Sequence, residues 1–172
     1  MTLKPQEKES IEHEIILKTS ADTEKFGIQL GSMALPGDVI CLDGELGAGK
    51  TTLTQGIAKG LAVDPACYVT SPSFSILHEY PGRIPLYHMD FYRLNSSLEV
   101  EELGFEEYFY MSGLTVIEWS EKATEILPVD RLALHIRITA DNVRLVCCTY
   151  VAEKWRNRLL KRENVQKNKK NR

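Results

Sequence analysis

Gly44-Glu45-Leu46-Gly47-Ala48-Gly49-Lys50-Thr51 follows the spacing G-x-x-x-x-G-K-[ST], and each part has a task that other residue types do badly. Glycine reaches φ > 0, so backbone N–H groups can turn inward around phosphate oxygens. Lys50 brings a cation to the β- and γ-phosphates, and the Thr51 hydroxyl is a ligand for Mg²⁺. The pattern is the phosphate-binding loop of nucleotide hydrolases and kinases, and it implies a nucleoside triphosphate with magnesium. Such a loop needs a carboxylate on a neighbouring strand to hold the metal, usually through water. Two acids close apolar runs: Asp90 after Leu86-Tyr87-His88-Met89, and Glu118 after Leu114-Thr115-Val116-Ile117. Strand ends of this kind face the ligand crevice of an α/β sheet. Either acid could orient the attacking water, and which of them ligands the metal directly is left open.

The elements that must position these groups follow from pattern. Asp38 to Leu42 is β-prone, and after the loop Leu53, Ile57 and Leu61 stand at helical spacing. Strand, loop and helix in that order aim a helix N-terminus at the phosphates. Upstream, 11–18 reads as a strand, and Thr19 with Asp22 as the cap of a first helix carrying Phe26, Leu30 and Met33 or Ala34. Downstream, 74–80 and 84–89 form a hairpin around Pro81-Gly82-Arg83. A helix is expected over 98–109, a buried strand over 114–117 and a short helix over 122–127. A terminal hairpin joins 132–139 to 143–151. Strands alternating with helices define an α/β domain of the P-loop NTPase-like kind, with a central mixed sheet flanked by helices. The organisation expected is a flexible 1–10, a phosphate-loop domain over 11–152, and a basic C-terminal helix and tail over 153–172.

The 172 residues, 43% of them hydrophobic, suit one domain with a sizeable core. No apolar run reaches membrane-spanning length and Met1 to Ser10 lacks a signal-peptide core, so a cytoplasmic protein is expected. The four cysteines form no C-x-x-C pair and read as small buried hydrophobes. Residues 153–172 carry nine Lys or Arg against two Glu, which leaves the body at −10 within a net charge of −3. A basic tail on an acidic body could meet RNA, an indirect or weak tRNA contact included, or an acidic partner, but Gln166 to Arg172 has no aromatic for a base to stack on. A solvated helix is the preferred reading.

Four segments taken together resemble a known family. They are the loop through Thr52, Thr70-Ser71-Pro72-Ser73-Phe74, His88-Met89-Asp90-Phe91-Tyr92-Arg93, and Ile117-Glu118-Trp119. In order and approximate spacing they are similar to the TsaE (YjeE) family, the bacterial ATPases of tRNA threonylcarbamoyladenosine synthesis, and the resemblance runs from about Thr19 to Arg144. Ser73 stands where the family usually has Thr, and Ser120 where Pro is frequent. The resemblance implies Lys50, Asp90 and Glu118 as catalytic, and Thr51, Asp90 and Glu118 as the magnesium site. It implies ATP/ADP contacts from Gly44, Glu45, Leu46, Gly47, Ala48, Gly49, Lys50, Thr51, Thr52, Ser71 and Ser73. Ser20, Thr23, Trp119 and Arg144 complete the nucleotide set. Trp119 reads equally well as a ring stack or as core. His88 reads as structural rather than as a general base. Tyr92 and Arg93 fix the Asp90 loop, or Arg93 offsets phosphate charge.

The implied activity is a slow ATPase that works on a complex of TsaD and TsaB. It would support transfer of threonylcarbamoyl to the adenosine beside the anticodon, without carrying out that chemistry itself. The rival is a small-molecule kinase of the phosphate-loop class, though Arg83 and Arg93 are the sole arginines between Thr52 and Leu114. A GTPase lacks support because no N-K-x-D motif occurs. A nucleotide-gated binding module without useful turnover is the third reading.

Overall fold

The computed structural model describes residues 14–159; the expected flexible N-terminus and the tail beyond residue 159 lie outside the described residues. Seven strands form one mixed sheet: β1 (Glu14–Leu17), β2 (Asp38–Asp43), β3 (Leu77–Tyr80), β4 (Leu86–Asp90), β5 (Leu114–Glu118), β6 (Leu132–Ile138) and β7 (Arg144–Val151). Their order is β1-β7-β6-β2-β5-β4-β3. The four inner strands β6, β2, β5 and β4 run parallel, and antiparallel strands close both edges. Parallel strands are covered on both faces, which explains why 38–42 of β2 are all buried rather than alternating. Ile40 and Leu42 pack into one core layer, and Val39 and Cys41 into the other.

Helix α1 (Ser20–Met33) opens with the expected capping box: Asp22 N donates to Thr19 Oγ1, and Thr19 N to the Asp22 carboxylate, at 3.1 and 3.0 Å. The Thr19 hydroxyl also donates to the Asp22 carboxylate, at 2.9 Å, and this bond first, then that from Thr19 N, holds the carboxyl below its usual range. Helix α2 (Lys50–Gly60) starts from Gly49 at φ 107° and has no side-chain cap, so its first N–H groups stay available to an anion. The two helices meet through glycine on both sides. A Cβ on Gly27 or Gly31 would fall within 3.0 Å of Leu53 O or Ile57 O; one on Gly56 or Gly60 would do the same to Glu24 O or Ile28 O. The helices therefore touch backbone to backbone.

Three local expectations need correction. The 98–109 helix is broken into α3 (Ser97–Glu102) and a 3₁₀ turn (Phe105–Tyr110), because Gly104 takes φ 73°. The helix expected over 122–127 is a 3₁₀ turn at Ser120–Ala123: the Asp43 carboxylate accepts from Ser120 Oγ at 2.8 Å and from Glu121 N at 3.1 Å, fixing an earlier start. The strand expected from Phe74 begins at Leu77, since residues 73–75 turn and Phe74 is 85% exposed.

Residues 153–159 form the expected final helix, α4, yet it is not merely solvated. Trp155 is fully buried in the core, and Arg158 grips the buried Asp38 carboxylate with both terminal nitrogens, at 2.5 and 3.0 Å. Asp38 opens β2, so this pair ties the last helix to the strand that leads into the phosphate loop.

Gly27→Ala should destabilise the chain by about 3 kcal/mol in urea unfolding, through forced separation of the helices. Gly104→Ala, where a Cβ meets nothing within 4 Å, should cost only about 1 kcal/mol of backbone strain. Burial pushes the thiols of Cys41 and Cys148 up to about 12 and about 11, so neither forms thiolate near pH 8. Iodoacetamide at that pH should label the half-buried Cys67 before either, as peptide mapping would read out.

Candidate functional site

Parallel pairing in register brings the two strand-end acids together: Asp90 lies opposite Glu118, and Glu118 opposite Leu42 just before the loop. Both carboxylates are buried. Each is held by hydrogen bonds rather than left bare, as burial of charge requires. Glu118 Oε2 accepts from Thr51 Oγ1 at 3.1 Å, and Oε1 lies 2.8 Å from His88 Nε2. Asp90 Oδ1 accepts from Tyr92 N at 2.9 Å; Oδ2 accepts from Ser73 Oγ at 3.0 Å and from Ser71 Oγ. The two serine hydroxyls are 2.8 Å apart. The Ser71-Pro72-Ser73 segment thus rests on Asp90.

Lys50 is buried and folds back on its own loop: Nζ donates to Gly44 O and Glu45 O at 2.6 and 3.0 Å, and stands 3.9 Å over the Trp119 ring. Burial lowers its pKa, against the raising pull of Glu118 and Asp90. Trp119, half-buried, packs tilted against Tyr92 with ring centroids 5.0 Å apart. Trp119 and Ile76 take φ 60° and 68°, left-handed values that non-glycine residues adopt at a cost of about 1–2 kcal/mol. Both sit beside this cleft, where such strain concentrates in functional proteins.

A cavity of about 310 Å³ is lined by Leu46, Gly47, Gly49, Lys50, Thr51, Thr52, Ser71, Ser73, Asp90, Glu118 and Trp119. Next to it, a second of about 340 Å³ gathers Ser20, Thr23 and Arg144 with Gly47, Gly49 and Thr52. Arg144 reaches across to Gly47 O at 3.5 Å and is steadied by Asn142, whose backbone oxygen lies at 2.7 Å. Of the loop residues named from sequence, Gly44, Glu45 and Ala48 line neither cavity. Gly44 and Glu45 accept from Lys50, and Ala48 is fully buried. Lys18 and Asn142, not singled out from sequence, line the second cavity. No local signal marked them; folding back of the terminal hairpin places Asn142 there. A third, mostly apolar cavity of about 250 Å³ beside Cys67 and Tyr68 contains none of these groups.

The donors around the first cleft, Thr51 Oγ1, Asp90 and Glu118, are all oxygens and suit a hard cation. Among the described residues no cluster of three His, Cys, Asp or Glu forms a cage. The hydroxyl and two carboxylates fit magnesium, which takes one or two carboxylates and leaves the rest of its shell to water and phosphate. Phe74 lies outside the cleft under the Arg93 guanidinium, 4.0 Å from the ring centroid, which places Arg93 on the rim.

A mixed sheet with four parallel inner strands, a glycine loop running into an uncapped helix, and two acids on adjacent strand ends define a P-loop NTPase-like α/β domain. Within that class, the chain belongs to the TsaE family: the family model described as "Threonylcarbamoyl adenosine biosynthesis protein TsaE" matches residues 17–146. It is 42% identical over 135 residues to the tRNA threonylcarbamoyladenosine biosynthesis protein TsaE of Bacillus subtilis, covering 78% of this chain and 83% of that one. It is 38% identical to the protein of the same name from Treponema pallidum, over 75% of this chain and 94% of the other. The crystal structure of Bacillus subtilis YdiB superposes with a TM-score of 0.77 at 32% identity, covering 92% of this chain and 99% of that one.

Replacing Ser71 and Ser73 together by alanine strips the buried Asp90 carboxylate of two donors. We expect a loss of about 2 kcal/mol in denaturant unfolding, smaller for either single variant.

Proposed function

We propose that this chain is a magnesium-dependent ATPase, slow alone, that serves tRNA threonylcarbamoyladenosine synthesis by acting on a complex of TsaB and TsaD. The carrying observation is the convergence of Lys50, Thr51, Asp90 and Glu118 on one cleft beside an uncapped helix N-terminus. Phosphoryl transfer asks for positioning and charge neutralisation rather than covalent chemistry by the protein. Lys50 and the loop amides would neutralise phosphate charge. Thr51, Asp90 and Glu118 would hold the cation, which supplies Lewis-acid stabilisation of the γ-phosphoryl oxygens. The neighbouring cavity lined by Ser20, Thr23 and Arg144 would take the nucleoside.

Slow turnover follows from the arginines. Arg144 is engaged by Asn142, Arg93 lies over Phe74, and Arg83 donates to Gly31 O and Ala34 O at 3.1 and 2.9 Å. None of these three aims at the cleft as an arginine finger or grips an acceptor as in small-molecule kinases. The tRNA pathway itself is inferred from family membership and requires a cytoplasmic site of action. No helix among the described residues is long and apolar enough to cross a membrane.

ATP hydrolysis should be measured for the purified chain alone and with TsaB and TsaD. Slow turnover raised by the partners and lowered about 100-fold or more by Lys50→Ala is expected. Phosphate transfer to an added small acceptor would favour a kinase instead, and nucleotide binding without partner stimulation would favour a passive module.

A further inference from the structure

His88 is a motif residue that the proposed chemistry leaves without a task. It lies on β4 two residues before Asp90 and is paired in register with Val116, two residues before Glu118. Residues two apart on a strand share a face, so all four side chains stand on one side of the sheet, with His88 one step deeper than the acids. Its ring is fully buried, so it touches no solvent. Nε2 lies 2.8 Å from Glu118 Oε1, while Nδ1 is buried with no hydrogen-bond partner.

A buried polar ring with one nitrogen unpaired costs free energy that an apolar side chain of that volume would not. What the imidazole supplies in return is the bond to Glu118. Facing a carboxylate, Nε2 is the donor. Glu118 is then clamped from both sides, by Thr51 of α2 on Oε2 and by His88 of β4 on Oε1. A glutamate at a strand end has three side-chain torsions to fix, and two donors from different elements fix them. The Thr51 hydroxyl, donating to Glu118, keeps its lone pairs for a cation.

We propose that His88 is a positioning residue: it holds the Glu118 carboxylate in the orientation that receives the magnesium-bound nucleotide, without touching either. The inference rests on the ATPase reading above. Partners that orient metal ligands are worth about 10- to 100-fold in metal affinity or activity.

The test is the ratio of ADP affinities with and without Mg²⁺, by titration calorimetry, for wild type, His88→Phe, His88→Gln and His88→Asn. Glutamine can place an amide N–H near the Nε2 position; asparagine is too short, and phenylalanine has no donor. We expect the Mg²⁺-dependent gain to fall about tenfold or more in the Phe and Asn variants and to stay within about threefold of wild type with Gln, while ADP affinity in EDTA is unchanged in all. If Phe does not fold, the Gln and Asn comparison decides. Equal gains across the folded variants, or a loss in Gln as large as in Asn, would overturn the positioning role. A wild-type chain that binds no ADP, or hydrolyses no ATP with its partners, would instead sink the ATPase reading.

Discussion

The backbone contact between α1 and α2 is the constraint on which the site depends. Glycines on both faces of the seam let the helix axes approach more closely than any side chain would permit. The start of α2 is thereby set at one depth over the sheet, and at that depth Thr51 meets Glu118. The same seam carries the N-terminal end of α1 beside the loop, so Ser20 and Thr23 border the second cavity. A wider seam would disturb the Thr51–Glu118 contact and the wall of the second cavity at once.

The cleft also shows how buried charges are kept satisfied within the protein. Lys50, Asp90 and Glu118 are buried, yet each bonds to a neutral neighbour: carbonyls for the lysine, hydroxyls for the acids. The left-handed residues Ile76 and Trp119 flank this arrangement, where the local rules of backbone preference yield to the site.

How much of this was readable beforehand depends on range along the chain. The loop, its strand and its helix are contiguous, and their spacing alone specified them. All seven strands and the mixed sheet also followed from periodicity and turns. Breaks set by one residue were harder: Gly104 divides a helix that the apolar spacing of Leu103, Phe105 and Tyr108 presented as continuous. Long-range side-chain partners were out of reach. His88 and Glu118 are 30 positions apart, and neither has a local pattern that names the other. The glycines at 27 and 31 in α1 and at 56 and 60 in α2 were not singled out from sequence, because their meaning needs the knowledge that those two helices touch. Trp155 looked like part of a basic appendage because charge dominates its surroundings.

That last helix bears on how the chain is made. Arg158 is synthesised 120 residues after the Asp38 that it clamps, and β2, which begins with Asp38, has no neighbour until β5 is made and lacks its second until β6 follows. The phosphate loop leaves the ribosome early, attached to an apolar strand that has nothing to pair with. The central strand of the sheet is therefore among the last to gain its full set of neighbours. In the interval β2 is the segment most in need of protection by chaperones.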